Sequence, residues 1–266
     1  MSTQTQSEAG SAATSSCSPD AFCVLGTRVN AVQIPGVIAQ MQDWIRRRDS
    51  CRYIAVTGMH GVTEARHDPQ LRAALASASL VVPDGMPLVW LGRRHGFTLP
   101  RRVYGPELML RFFRETTSRY RHFYYGGAPG VADALAHKFA RQFPAHEIAG
   151  SFSPPYRNLS NDDSREICSM INDSNPDIVW VGLGTPKQER WMRDHQHLLS
   201  APVLVGVGAA FDFHAGRVRS APAWMGDHGL EWLFRLAQEP RRLWHRYLVR
   251  GSEFAALAIL EFLKHE

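Results

Sequence analysis

Chemically active side chains follow several apolar runs in this sequence, at the point where each run ends. Asp84 comes directly after Leu80–Val82 and lies between Pro83 and Gly85. An aspartate in such a position caps the next helix, or acts as a general base when it faces a crevice that holds a hydroxyl group. Thr57 ends an earlier apolar run and offers a hydroxyl for hydrogen bonding. Asp84 is therefore a candidate catalytic base.

A glycine pair follows a third apolar run. Gly126 and Gly127 come after His122–Tyr125, and Pro129 then stands at the expected start of a helix. Glycine N–H groups and the positive end of a helix together form a cradle for a diphosphate. The segment lacks a full G-x-G-x-x-G fingerprint, so a dinucleotide site has little support.

The segment Asp177–Trp191 combines an apolar run, a glycine turn and a polar helix start. Gly184 makes the turn, and Pro186 is predicted as the first helical residue because its missing N–H would have no partner there. Lys187 and Gln188 then fall on the first helical turn. In α/β folds ligands bind at the carboxyl ends of strands, so this cluster indicates a ligand site.

A further segment, Val207–Gly216, places Asp212 after another apolar run. The phosphate loop G-x-x-x-x-G-K-S/T and the G-x-S-x-G turn of α/β-hydrolases do not occur. No set of His, Cys, Asp or Glu residues has metal-ligand spacing, and there is no C-x-x-C pair. The residues alone predict a protein that binds a nucleotide or phosphosugar, with an aspartate as a candidate base, and they argue against a metallohydrolase.

Buried strands alternate with amphipathic helices along most of the chain. Strands are predicted at Tyr53–Val56, Leu80–Val82, His122–Tyr125, Ile148–Phe152, Ile178–Val181 and Val203–Val207, with another near Phe22–Leu25. Helices are predicted at Val37–Arg47, Pro69–Ala76, Pro129–Phe143 and Ser160–Asn172. Unbroken apolar strands separated by helices predict an α/β fold: a Rossmann-like, doubly wound, mainly parallel sheet with helices on both faces.

The two ends of the 266-residue chain differ from its centre. Residues 1–20 are small and polar and lack the features of a signal peptide, which predicts a disordered tail and a cytosolic protein. Residues 21–216 form the predicted α/β core, and residues 217–266 a helical appendage. The appendage is rich in arginine mixed with aromatic and aliphatic residues, so it either docks on an anionic membrane surface or packs on the core with solvated arginines.

Six motifs occur in order along the chain: Pro83-Asp84-Gly85, Arg101-Arg102-Val103-Tyr104-Gly105, Gly126-Gly127-x-Pro129-Gly130, Gly182-x-Gly184-Thr185-Pro186-Lys187-Gln188-Glu189, Phe211-Asp212-Phe213 and Gly229-Leu230-Glu231-Trp232. The set resembles the WecG/TagA/CpsF family of glycosyltransferases (glycosyltransferase family 26). The resemblance covers about Val24 to Leu248.

This resemblance implies a hexosyltransferase or N-acetylhexosaminyltransferase of inverting mechanism. It would move a sugar from a UDP-sugar to a polyprenyl-diphosphate-linked saccharide acceptor, in the synthesis of exopolysaccharide or another cell-surface polysaccharide. It implies no cofactor, no metal and no nucleic acid, and a peripheral position on the inner face of the cytoplasmic membrane. A homo-oligomer is compatible with the sequence, which leaves the oligomeric state open.

The resemblance also assigns roles to individual residues. Asp84 is the expected base, Thr57 is expected beside the acceptor or the reacting sugar, and Gln188 is expected at the donor. The expected donor and nucleotide site comprises Gly126, Gly127, Gly184, Lys187, Gln188 and Asp212. Arginines expected at the diphosphate or the membrane are Arg235, Arg241, Arg242 and Arg246.

Several positions depart from the family's usual pattern. Thr57-Gly58-Met59 replaces Thr-x-Asn, and Gly105-Pro106-Glu107 replaces Gly-x-Asp. We therefore assign no donor sugar from the sequence. Two other classes stay open: a non-catalytic UDP-sugar-binding scaffold protein, and an NAD-dependent oxidoreductase of similar fold.

Overall fold

The computed structural model describes residues 19–117, 119–157 and 159–263, without the side chains of residues 223, 227, 242, 246, 262 and 263. Its strands are β1 (Ala21–Val24), β2 (Thr27–Asn30), β3 (Arg52–Thr57), β4 (Leu80–Pro83), β5 (Arg121–Gly126), β6 (Glu147–Phe152), β7 (Ile178–Gly182) and β8 (Val203–Gly206). Its helices are α1 (Ile34–Arg47), α2 (Met59–His67), α3 (Pro69–Ser77), α4 (Met86–Arg94), α5 (Gly105–Glu115), α6 (Val131–Gln142), α7 (Asn161–Asp173), α8 (Lys187–His195), α9 (Ala210–His214), α10 (Ala223–Asp227), α11 (Glu231–Gln238), α12 (Pro240–Trp244) and α13 (Arg250–Leu263). The predicted disordered tail falls largely on residues 1–18, outside the described ranges.

A parallel sheet with the strand order β4-β3-β8-β7-β5-β6 forms the centre of the molecule. The six buried runs predicted from the sequence correspond to these strands, and their ends differ from the prediction by one residue at most. Helices cover both faces, so the predicted doubly wound α/β class is confirmed. All strands of the sheet point the same way, so their carboxyl ends meet at one edge.

The run near Phe22–Leu25 lies outside this sheet. It contributes β1, which pairs with β2 in a separate antiparallel hairpin beside β4. Leu25 and Gly26 join the two strands with positive φ angles of 49° and 82°. Such a two-residue turn matches the right-handed twist of paired strands. The sequence did not reveal β2, because the short run Thr27–Asn30 carries too few apolar residues to mark a strand.

Alternate residues of the central strands face opposite sides of the sheet. In β3, Ile54 and Val56 pack with α1, α5 and α6. Ala55 packs on the other side with α2, α3 and α4, and Tyr53 packs there with α7 and α8. Burial on both faces explains why the strands are unbroken apolar runs.

A chain of hydrogen bonds crosses the core between β7, β5 and α5. The Trp180 indole donates to Nδ1 of His122 at 3.0 Å, and Nε2 of His122 lies 3.2 Å from Nδ1 of His146. An indole N–H only donates, so His122 carries its proton on Nε2 and donates to His146. His146 in turn donates from Nε2 to the carbonyl of Phe113 at 3.1 Å. Both imidazoles are therefore held neutral.

The C-terminal helices run over the core from the edge that carries the strand ends. Phe254 of α13 is buried in the core cluster that includes α2. An ion pair of Arg250 with Glu64 and a hydrogen bond between His67 and Glu253 join the same helices. One face of α13 therefore packs on the core, and contact of the appendage with a membrane stays a prediction.

The C-terminal helices also carry exposed apolar side chains. Large hydrophobic side chains exposed there are Trp224, Leu233, Trp244, Leu248, Val249, Ile259 and Leu260. Ile259 and Leu260 are 60% and 53% exposed. Among the helices in the described ranges, none is long and apolar enough to span a bilayer.

Candidate active site

The ends of β3 and β4 bring Thr57 and Asp84 together. The N–H of Asp84 donates to the carbonyl of Thr57 at 2.8 Å. Gly58 permits this approach, because a Cβ there would collide with the carbonyl oxygen of Asp84. The N-cap residue of α4 is Gly85, so Asp84 does not serve as that cap. Asp84 is half-buried at the edge of the sheet, where a base is expected.

The Thr57 side chain is buried behind this edge. It is 2% exposed, and within the described part of the chain its hydroxyl has no hydrogen-bond partner. A Cβ at Gly61 would collide with that hydroxyl and would lie 3.7 Å from the methyl of Thr185. Thr57 thus lies between Asp84 and the loop after β7.

Arg102 and Tyr104 complete the surroundings of Asp84. The N–H of Val103 donates to the carbonyl of Pro83 at 2.8 Å, which places this segment alongside the Asp84 turn. The Arg102 guanidinium lies 4.2 Å from the centre of the Tyr104 ring and forms an ion pair with Glu231 of α11.

The electrostatics of this group are dominated by its two carboxylates. Burial lowers the pKa of Arg102, but the negative charges of Asp84 and Glu231 outweigh it, so the net pKa is raised. Burial and the same two carboxylates raise the pKa of Tyr104. Arg102 is therefore a fixed positive charge beside the candidate base.

An edge-to-face aromatic pair links Tyr104 to the segment after β8. The rings of Tyr104 and Phe213 meet edge to face, 6.2 Å apart. The guanidinium of Arg235 lies 5.4 Å from the Phe213 ring. Asp212 precedes Phe213 in α9 and is half-buried. The predicted residues Asp212 and Arg235 therefore lie on the same side of the sheet as Asp84.

Gln188 is buried between the loops that follow β7 and β8. Its side chain is 2% exposed. Its oxygen accepts hydrogen bonds from the N–H groups of Gly184, at 3.2 Å, and Gly208, at 2.9 Å. Its amide nitrogen donates to Glu189 at 3.0 Å. These bonds hold the two loops together, and direct contact of Gln188 with a donor stays a prediction.

The predicted start of α8 needs one correction. Pro186 is the residue before the helix, and Lys187 is its first helical residue. The side chain of Lys187 is exposed. The helix therefore begins one residue later than predicted, and Pro186 directly precedes it.

The glycine turn after β5 approaches β7 closely. Gly126 has a φ of 124°, and a Cβ there would lie 2.7 Å from the carbonyl carbon of Gly182. The N–H of Gly127 donates to the carbonyl of Gly182 at 2.9 Å. The N–H groups of Gly127 and Gly184 thus bond within the protein, and in this arrangement neither faces a diphosphate. Binding of a donor at these turns stays a prediction.

The four predicted appendage arginines differ in what the structure describes. Arg235 is half-buried at the site, and its Nε is buried with no hydrogen-bond partner in the described ranges. Arg241 is exposed. The side chains of Arg242 and Arg246 lie outside the described residues. Of these four arginines, Arg235 is the one whose described side chain lies at the candidate site.

The sequence of this chain is similar to that of known glycosyltransferases. A family model described as "Glycosyl transferase WecG/TagA/CpsF family" matches residues 22–266. The chain belongs to this family. It is 35% identical over 204 residues to an N-acetylglucosaminyldiphosphoundecaprenol N-acetyl-beta-D-mannosaminyltransferase of Bacillus spizizenii. The aligned region covers 76% of this chain and 75% of that protein. It is 31% identical over 175 residues to the protein of the same name from Bacillus subtilis, covering 65% of this chain and 66% of that one.

Family membership makes this chain a glycosyltransferase. Sequence reasoning missed Arg102, Tyr104 and Glu231 as site residues, although all three lie in the quoted motifs. Those motifs were the available signal, but only the fold shows that Glu231 reaches Arg102 from 129 residues away. In the described ranges, no three or more His, Cys, Asp or Glu residues are grouped to hold a metal ion.

Proposed function

We propose that this glycosyltransferase moves a sugar from a UDP-sugar to an acceptor saccharide linked through a diphosphate to a polyprenyl lipid, with Asp84 as the general base. The observation that carries the proposal is the half-buried Asp84 carboxylate beside the fixed positive charge of Arg102. The names of both Bacillus relatives specify an acceptor sugar joined by diphosphate to undecaprenol.

The proposed chemistry is a single inverting displacement. Asp84 takes the proton from the acceptor hydroxyl while that oxygen attacks the anomeric carbon of the donor sugar. The bond from that carbon to the diphosphate breaks, and UDP leaves with its negative charge. General-base assistance of this kind contributes about 10²- to 10⁴-fold to a rate.

Arginine side chains are the proposed stabilisers of the departing diphosphate. Arg102 and Arg235 approach the same aromatic pair, Tyr104 and Phe213. Preorganised positive groups in a partly desolvated site stabilise charge that develops in the transition state. We propose that they do so without a metal ion.

The spacing of the strand ends fits a long donor. Asp84 follows β4 and Gly126 ends β5, four strand positions away in the sheet. At about 4.8 Å per strand this corresponds to roughly 19 Å. A nucleotide near β5 and β7 would leave its sugar at β3 and β4, beside Thr57 and Asp84. The glycine turns then belong to the nucleotide side of the site.

The appendage is the proposed membrane contact. Exposed apolar side chains such as Trp244 and Leu248 alternate with arginines along the chain, the composition of a helix that lies in a membrane interface. We propose that residues 217–266 hold the enzyme on the inner face of the cytoplasmic membrane, where its lipid-linked acceptor resides. Synthesis of exopolysaccharide or another cell-surface polysaccharide is the proposed process.

The test is a panel of UDP-sugars against polyprenyl-diphosphate-linked mono- to tetrasaccharides, with products identified by mass spectrometry. The proposal predicts that one pair gives a lengthened saccharide and an equal amount of UDP. A protein that binds UDP-sugars but releases no UDP with any acceptor would be a scaffold. Binding of a nicotinamide dinucleotide in place of UDP-sugars would favour the oxidoreductase.

A further inference from the structure

Glu231 connects the appendage to the candidate base. It is the first residue of α11, and it is buried although it is a carboxylate. It forms an ion pair with Arg102, and its negative charge helps to raise the pKa of Tyr104. The appendage backbone also closes on the arginine, because a Cβ at Gly226 would lie 2.9 Å from Nη2 of Arg102.

These contacts determine the direction in which Arg102 points. Its guanidinium is confined by the Tyr104 ring on one side, by Glu231 on another and by the backbone near Gly226. An arginine side chain otherwise has several freely rotating bonds, and fixing it costs conformational entropy. A carboxylate that accepts from the planar guanidinium restricts its orientation as well as its position.

We propose that Glu231 is a positioning residue: it holds the guanidinium of Arg102 beside Asp84. This inference rests on the proposed role of Asp84. Glu231 itself touches neither substrate nor reacting atoms and acts through Arg102.

The proposal predicts a specific result with an acceptor analogue whose lipid is short enough to dissolve without vesicles. Glu231→Gln lowers kcat/KM about 10- to 100-fold, the range expected when a charge-assisted hydrogen bond is lost. Arg102→Gln lowers it at least as far. The double variant is no worse than Arg102→Gln alone, because Glu231 has nothing to position once the arginine is gone. Glu231→Asp, which keeps the charge, recovers part of the loss.

A matched control separates positioning from general docking. Glu253 is also an appendage carboxylate bonded to the core, through a hydrogen bond with His67, but it lies on α13 and pairs there with Arg250 instead of Arg102. Glu253→Gln is expected to keep kcat/KM on the soluble acceptor. An equal loss in Glu253→Gln and Glu231→Gln would show that both merely fix the appendage, which overturns the proposal.

The pH profile tests the link from Arg102 to Asp84. Arg102→Gln removes a positive charge beside the carboxylate, so the acid limb of kcat/KM shifts to higher pH. An unmoved limb, or losses that multiply in the double variant, overturns the positioning role. Full turnover in Asp84→Asn would instead reject the base, and with it the proposed mechanism. The two failures are thus distinguishable.

Discussion

Replacement of Gln188 by alanine tests whether this buried amide holds the site loops together. In Gln188→Ala, the N–H groups of Gly184 and Gly208 lose their acceptor, and Glu189 loses a donor. Each neutral hydrogen bond contributes about 1 kcal/mol, and a bond to a carboxylate about 1.5–3 kcal/mol. The shortened side chain also leaves a cavity, which adds to the cost. We expect the free energy of unfolding to fall by at least about 3.5 kcal/mol.

The assay is urea unfolding followed by tryptophan fluorescence, with Gln142→Ala as the control. Gln142 is exposed at the end of α6, and its replacement is expected to change the free energy of unfolding by less than about 0.5 kcal/mol. A similarly small change in Gln188→Ala would refute the structural role. If turnover were then lost with stability intact, Gln188 would act on the donor directly, as the family resemblance implies.

Three further predictions concern pH, packing and metal. Burial lowers the pKa of His122 well below 6.5, and burial also lowers that of His146. The unfolded chain therefore takes up protons at a higher pH than the folded protein does. The free energy of unfolding keeps its full value above pH 6.5 and falls as the pH drops below it. For His122 the fall is up to about 1.4 kcal/mol per pH unit. Urea midpoints measured from pH 7.5 to about 5.5 check this, and a flat profile would contradict it. Gly58→Ala pushes the new methyl into the backbone of Asp84 and should lower kcat at least about tenfold, whereas Gly251→Ala, which meets Met59 at an ordinary 3.5 Å, should not. Turnover is expected to survive excess EDTA, and loss that Mg²⁺ or Mn²⁺ restores would show a metal requirement.

The strands of the sheet could be predicted because their signal is local. An unbroken apolar run such as Ile178–Val181 is buried on both faces, so hydrophobicity alone marks it. The hairpin strand Thr27–Asn30 has no such pattern, since it is held by its partner strand and a two-residue turn. The start of α8 was predicted one residue early, within the usual uncertainty of helix ends.

The proximity of Thr57 and Asp84 could be expected from the sequence, because polar residues at strand ends meet at one edge of a parallel sheet. Their roles in catalysis stay predictions. The pairing of Arg102 with Glu231 depends on how the appendage folds back, which no local pattern encodes. The hydrogen bonds from Gly184 and Gly208 to Gln188 could not be predicted for a similar reason. A glutamine at the start of a helix is usually exposed, and only the folded arrangement of the two loops buries this one.

The most direct test of the account is the turnover of Asp84→Asn with the identified donor and acceptor. Asparagine keeps the size of the side chain but cannot take a proton, so kcat should fall by about 10²- to 10⁴-fold. Binding of the UDP-sugar and the urea midpoint should stay close to those of the unaltered protein. A variant that folds, binds the donor and keeps full turnover would contradict the assignment of Asp84 as the base.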